Sequence, residues 1–272
     1  MHASGFGKYL LTFGGGSADF RAAAQRVGLE AELSNCFEKI FVVSETEIGT
    51  DFSRFLETNA NFIQNNPRGF GFWCWKPFLV NHYLKLLPKG SSLMYLDAGS
   101  HLNLETEDCR QKLEGYFDLA KERGIFAMHL RTGQFGDDFS DLTESAFTTR
   151  QLAKKIGLTS ENVSTLQIES NFFIVHNSRF SRRIIRKWFK LSTIKSHKFL
   201  LDPHETKDVF VNFIEHRHDQ AIFSGLLKKH RIKPMKNESY FHPNWIEGGS
   251  SYPVWITRHG FGSDPIGSGR LS

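Results

Sequence analysis

The sequence predicts an α/β domain with a mostly parallel mixed central sheet flanked by helices, on three observations. Short apolar runs recur, at Tyr9-Leu-Leu-Thr-Phe13, Lys39-Ile-Phe-Val-Val-Ser44 and Leu93-Met-Tyr-Leu96. They are continuous rather than alternating, as expected of strands covered on both faces. Stretches of helical period lie between them, which is the β-α-β order of a sheet with crossover helices. The third run then stops abruptly at Asp97-Ala-Gly99. A carboxylate at the carboxyl end of a buried strand is where ligands collect in open α/β sheets, and the small residues after it leave room for one. Asp97 either meets a ligand there or caps the turn that follows.

The 272 residues suit one such domain over 1–262, followed by a polar, glycine-rich flexible tail over 263–272. With 40% hydrophobic and 23% charged residues, wholesale disorder is not expected. A net charge of +5 favours anionic partners without choosing among phosphorylated substrates, nucleic acid and acidic lipid. Cys36, Cys74 and Cys109 are odd in number and widely spaced, so neither a disulfide framework nor a zinc cage is predicted. No signal peptide or membrane span is legible, and the expected location is cytoplasmic.

In chain order, the first strand runs into Gly14-Gly-Gly16 and a helix over 19–33. That loop matches neither the dinucleotide fingerprint, whose third glycine is missing, nor a P-loop, which needs Lys-Ser/Thr. Arg68-Gly-Phe-Gly-Phe-Trp-Cys-Trp-Lys-Pro77 interleaves glycines and large aromatics around two cations. Its rings suit stacking on a base or sugar and its cations suit phosphate, or else the run is a core wedge with both cations reaching outward. A helix follows over 78–87, then the Asp97 strand, a helix over 106–123 and a strand over 124–130. Residues 132–138 read as a lid-like loop, 143–156 as a helix and 166–176 as a strand interrupted by the polar trio Glu169, Ser170 and Asn171. Polar residues in an apolar strand need a partner or a task. Residues 179–198 form a basic helix without a single acid, either a solvated face or a surface for anionic lipid. Another helix starts near Asp219-Gln220, after the run Glu215-His-Arg-His218. His216 and His218 are two apart and share no helical face, so they complete no zinc site.

Taken in order over roughly 8–260, these stretches resemble glycosyltransferases of the GT-A (Rossmann-like) fold. The resemblance is strongest to the retaining glycogenin and bacterial lipopolysaccharide galactosyltransferase family and to the yeast-type α-galactosyl/mannosyltransferases. Tyr95-Leu-Asp-Ala-Gly99 is similar to the family's Tyr-Leu-Asp-Ala-Asp run, Glu169-Ser-Asn-Phe-Phe to its Asn-Ala-Gly strand, Asp219-Gln220 to its Asp-Gln helix start, and His259-Gly to its C-terminal metal-binding histidine. The resemblance implies a nucleotide-sugar site of Thr12, Phe13, Arg68, Trp75, Lys76, Asp97, Ala98, Gly99, Gln220 and Arg258, with Asp219, Glu169 and Asn171 as catalytic residues. It also implies Mn2+ or Mg2+ on Asp97 and His259, with His101 as another candidate. Gly99 stands where the family has its second aspartate, which weakens the metal site and leaves basic side chains to share its task.

The implied activity is hexosyl transfer, with retention, from a nucleoside diphosphate sugar, UDP-linked before GDP-linked, to a glycan or lipid-linked acceptor. Peripheral contact with the anionic inner face of a membrane is part of the expectation, and nucleic acid is not an expected partner. The competing readings are a sugar-phosphate nucleotidyltransferase, whose Arg/Lys-bearing glycine loop is missing, a basic nucleic-acid-binding module, and a carbohydrate-binding relative without activity.

Overall fold

The structure, a computed structural model, describes residues 7–47, 50–131, 141–239 and 249–257. Strand β1 (Lys8–Gly14) leads into helix α1 (Ala18–Ser34), whose N-cap Ser17 Oγ accepts from the Phe20 N–H at 3.3 Å. Strand β2 (Lys39–Ser44) returns beside β1. Three short helices follow, α2 (Asp51–Thr58), α3 (Ala60–Asn65) and α4 (Gly69–Phe72). Helix α5 (Trp75–Leu86) and strand β3 (Ser92–Leu96) then deliver Lys76 and Asp97. Next come β4 (Ser100–Leu102), α6 (Glu107–Arg123) and β5 (Ile125–His129). Helices α7 (Glu144–Phe147), α8 (Arg150–Ile156) and α9 (Ser160–Ser164) precede β6 (Ile168–His176). Helices α10 (Arg179–His197) and α11 (His218–Lys229) and strand β7 (Val254–Ile256) complete the described elements.

The main sheet has the order β2-β1-β3-β6-β5. Strands β2, β1 and β3 are parallel, β6 lies antiparallel between β3 and β5, and β5 therefore runs with the first three. The mostly parallel mixed sheet expected from the sequence is the one observed. Alternation along each strand feeds two apolar layers. Leu93, Tyr95, Phe173 and Val175 pack with Leu79, Leu84, Ile184, Trp188 and Phe223 of α5, α10 and α11. Met94, Leu96, Phe172 and Ile174 pack on the other face with Val27 of α1 and Leu113, Tyr116 and Phe117 of α6. Every residue of β3 is buried, which is why its sequence reads as an unbroken apolar run.

Three expectations are corrected in detail. The helix predicted over 143–156 is two helices, because Thr148 and Thr149 are extended and Thr149 Oγ1 caps α8 by accepting from Leu152 N–H at 3.2 Å. The trio Glu169, Ser170 and Asn171 lies inside β6 without interrupting it. The basic helix carries non-helical backbone at Ile194, Lys195 and Ser196 near its end. The lid-like loop over 132–138 and the tail over 263–272 lie outside the described residues. Among the described residues, no helix is long and apolar enough to cross a membrane.

Candidate active site

A cavity of about 530 Å³ opens where β1 and β3 end, lined on that side by Phe13, Gly16, Asp97, Ala98 and Gly99. The turn carrying Asp97 is pinned at every carbonyl. Asp97 N–H donates to Asn171 O at 2.9 Å, and Ser100 N–H donates to Asp97 O at 3.0 Å. Arg26 Nη2 donates to Ala98 O and Ser100 O at 3.0 and 2.9 Å, and Thr257 Oγ1 donates to Gly99 O at 2.9 Å. With its carbonyls turned to these donors, the turn holds the N–H groups of Ala98 and Gly99 without a hydrogen-bond partner among the described residues. Successive free amides near the N-terminal end of α1, whose Ser17 also lines the cavity, form a setting that favours an anion.

At the centre stands a lysine between two carboxylates. Lys76 is buried on the first turn of α5, with its Nζ 3.1 Å from Asp97 Oδ1 and 3.6 Å from Asp219 Oδ2. Its Nζ also donates to Ser170 O at 3.1 Å. Ser170 Oγ donates to Asp219 Oδ2 at 3.0 Å, so one residue of β6 holds both partners of this ion pair. Tyr95 OH donates to Asp97 Oδ1 at 2.6 Å, and the Asp97 side chain, 31% exposed, lines the cavity. Burial pushes the Asp219 carboxyl up to about 6; Asp97 adds to the rise, while Lys76 and the Ser170 hydroxyl oppose it. Asn171 lines the cavity, and its Oδ1 is buried with no partner among the described residues.

The opposite wall is the aromatic run. Gly69, Phe70, Gly71, Phe72 and Trp73 have φ of 60, 53, 84, 50 and 57°, a full turn wound in the left-handed region. Glycine adopts this freely, whereas Phe70, Phe72 and Trp73 each cost about 1–2 kcal/mol there. Gly69 also has no room for a Cβ, which would meet the Trp73 ring at 2.4 Å. The turn aims Phe70 and Trp73 into the cavity and Phe72 away from it. Phe72 stacks on His218 with ring centroids 3.9 Å apart and planes 7° from parallel. His218, itself at φ 41°, donates through Nδ1 to Leu200 O at 2.7 Å. Burial pushes its imidazole down to about 3, so it is neutral where Asp219 titrates. Glu215 pairs with Arg68 at 3.2 Å and with Arg217 at 3.0 Å on the cavity rim.

The cavity brings together Phe13, Arg68, Trp75, Lys76, Asp97, Ala98, Gly99, Asn171, Asp219 and Gln220 from the sequence reading. Thr12 and Glu169 are buried in β1 and β6 and are not among its lining residues. Arg258 and His259 lie outside the described residues. His101 faces Glu30 at 2.9 Å and Arg26 at 2.6 Å instead of the cavity. Ser170, Arg217 and His218 were missed as site residues. Their signals were present, since Ser170 is the middle of the polar trio and the other two immediately precede Asp219. Of the residues expected to hold a divalent ion, His259 lies outside the described residues and Asp97 lines the cavity. Asp97 Oδ1 is committed to Tyr95 and Lys76, an ammonium already stands between the two aspartates, and Gly99 offers no side chain. Among the described residues, no group of three His, Cys, Asp or Glu side chains is arranged for a metal.

No family model and no curated protein matches the chain. Among solved structures it is similar to mouse xyloside xylosyltransferase 1, at 11% identity and TM-score 0.45 over 92% of this chain and 97% of that one. A glycosyltransferase involved in glycosylating the major capsid of PBCV-1 is similar at 8% identity and TM-score 0.47, over 91% and 92% of the two chains. The galactosyltransferase LgtC, in complex with donor and acceptor sugar analogues, is similar at 12% identity and TM-score 0.43, over 91% and 86%.

Proposed function

We propose that this chain is a glycosyltransferase that moves a hexosyl group from a UDP-linked sugar to a glycan or lipid-linked acceptor, with retention of configuration. The observation that carries the reading is the buried Lys76 ammonium fixed between Asp97 and Asp219 at the floor of a cavity at the strand ends. Breaking the bond between the anomeric carbon and the diphosphate leaves charge on the departing oxygens. Fixed donors aimed at that charge in a water-poor site are the largest lever a protein has on such a step. Arg68 and the N–H groups of Ala98 and Gly99, which have no partner among the described residues, are the donors, while Lys76, its three N–H groups engaged, contributes its charge. On this reading Asp97 and Asn171, which line the cavity, supply polar groups for sugar hydroxyls, and Phe70 and Trp73 offer flat faces to a base or sugar ring. On the same reading Asp219, largely ionised at neutral pH, is the carboxylate that stabilises positive character on the anomeric carbon. The new bond joins that carbon to the acceptor oxygen on the face the diphosphate leaves, and the acceptor's proton passes to an oxygen of the departing diphosphate.

The test is a thermal-shift screen against UDP-, GDP-, CMP- and dTDP-sugars, each with and without manganese. A bound donor raises the melting temperature by mass action even when the acceptor is unknown. A UDP-sugar is expected to give the largest rise, and release of free UDP with time separates an enzyme from a carbohydrate-binding relative. A panel in which no nucleotide sugar moves the melting temperature contradicts the reading.

A further inference from the structure

Gln220 lines the cavity, but what holds it lies outside. Its Nε2 donates to Gln167 Oε1 at 2.7 Å, and its Oε1 accepts from the Ser170 N–H at 3.3 Å. Gln167, fully buried, donates through Nε2 to Glu144 Oε1 at 3.2 Å. Glu144, also fully buried on α7 and not among the cavity residues, receives Lys228 Nζ at 3.0 Å and the Ser224 hydroxyl on its other oxygen. Ser224 Oγ in turn accepts from the Ile168 N–H at 2.9 Å, which commits its proton to Glu144.

Both ends of this chain of bonds have a fixed polarity. A carboxylate only accepts and a backbone N–H only donates. The two amides between them can be satisfied in one direction alone: each oxygen points toward Ser170 and each nitrogen toward Glu144. The assignment therefore rests on the chemistry of the ends rather than on telling N from O. Ser170 is the residue whose carbonyl takes Lys76 and whose hydroxyl takes Asp219.

We propose that Glu144 is a remote positioning residue, setting the direction of a Gln167–Gln220 amide relay that locks Ser170 and through it the Lys76–Asp219 pair. One substitution that changes almost no volume reverses the relay. In Glu144→Gln the remaining oxygen must face Lys228 and Ser224, both committed donors. The new NH2 then faces Gln167, whose amide turns over, as does that of Gln220. Two donors are left facing each other at the Ser170 N–H. Adding Gln167→Glu restores an acceptor between two NH2 groups, and with it the original direction at Gln220.

The experiment compares wild type, Glu144→Gln and Glu144→Gln/Gln167→Glu in the full chain, each selectively 15N-labelled at glutamine. The Gln220 side-chain amide signals are expected to move in the single variant and to return in the double. With UDP-galactose and UDP-glucose as probes, the single variant should lose at least about tenfold in hydrolytic kcat, with KM within about threefold, and the double should recover to within about threefold. Unmoved Gln220 signals with wild-type turnover in the single variant overturn the proposal, and so does a double variant that stays as impaired as the single. Only the kinetic arm rests on the glycosyl-transfer reading. If wild type hydrolyses neither probe, that reading loses these donors, while the amide signals still decide the relay. If Glu144→Gln fails to fold, a folded double variant with wild-type Gln220 signals sustains the relay, and a misfolded one removes it.

Discussion

Burial raises the Asp219 carboxyl from 3.8 to about 6, even with the Lys76 ammonium 3.6 Å away. An acid whose folded value lies above its unfolded value favours the protonated fold. Its contribution to stability is fully present below about pH 4 and is lost as pH rises through about 6. His218 works the other way, because an imidazole pushed down to about 3 favours the fold when neutral and withdraws that support as pH falls below 6.5. The two slopes overlap, so the informative quantity is the melting temperature of Asp219→Asn minus that of wild type. That difference is expected to rise from pH 5 to pH 8, since only wild type must bury a new charge across that window. A flat difference places the Asp219 value near the ordinary 3.8. Turnover in wild type should fall below about pH 6, and Asp219→Asn should lose at least about tenfold at pH 7.5, roughly 1.4 kcal/mol of barrier. At this scale the sequence was informative about Asp97, Lys76 and Asp219, because charged residues beside buried runs stand out. It was silent on Ser170 as the common holder of Lys76 and Asp219, because a serine in a strand gives no sign of which carboxylate its hydroxyl meets.

Helix α4 shows how an element is written by residues that contradict their own preferences. Glycines at 69 and 71 make the left-handed turn affordable, and the rings of Phe70, Phe72 and Trp73 then settle on Phe13, His218 and Gly69. Gly71→Ala would force an L side chain to φ 84° with its Cβ 2.8 Å from Ile63 Cγ1. A loss of about 1–3 kcal/mol is expected in chemical denaturation, together with weaker ligand binding because Phe70 and Trp73 move. Wild-type stability in that variant would mean the turn can unwind at little cost. Helix α10 was legible as an amphipathic basic helix, and the structure puts Trp188 in the core while exposing Arg179, Arg183, Arg186 and Lys190, with Phe180 exposed 42% at its start. Such a stripe is worth about 1 kcal/mol per charge at an anionic bilayer and weakens with salt. Sedimentation with phosphatidylglycerol vesicles is expected at low salt and should be lost in Arg183→Glu/Arg186→Glu; equal sedimentation of the two proteins would leave the stripe as a solvated face.

Across the whole molecule, periodicity located every strand of the main sheet, since apolar runs and intervening helical stretches are local properties. Strand order was not local. Nothing in residues 168–176 announces that β6 inserts antiparallel between β3 and β5, yet this insertion carries Ser170 and Asn171 to the cavity beside Asp97. The aromatic run was ambiguous for the same reason, because only tertiary packing decides that Phe70 and Trp73 line a cavity while Phe72 is held against His218. The central claim is that this cavity takes a nucleoside diphosphate sugar over the Asp97–Lys76–Asp219 group. The most direct measurement is calorimetric titration of UDP-galactose and UDP-glucose into wild type and Asp97→Asn. The account predicts saturable binding to wild type for at least one of them, weakened about tenfold or more in the variant, roughly 1.4 kcal/mol. Equal affinity in the two proteins, or no binding of either sugar nucleotide to wild type, would contradict it.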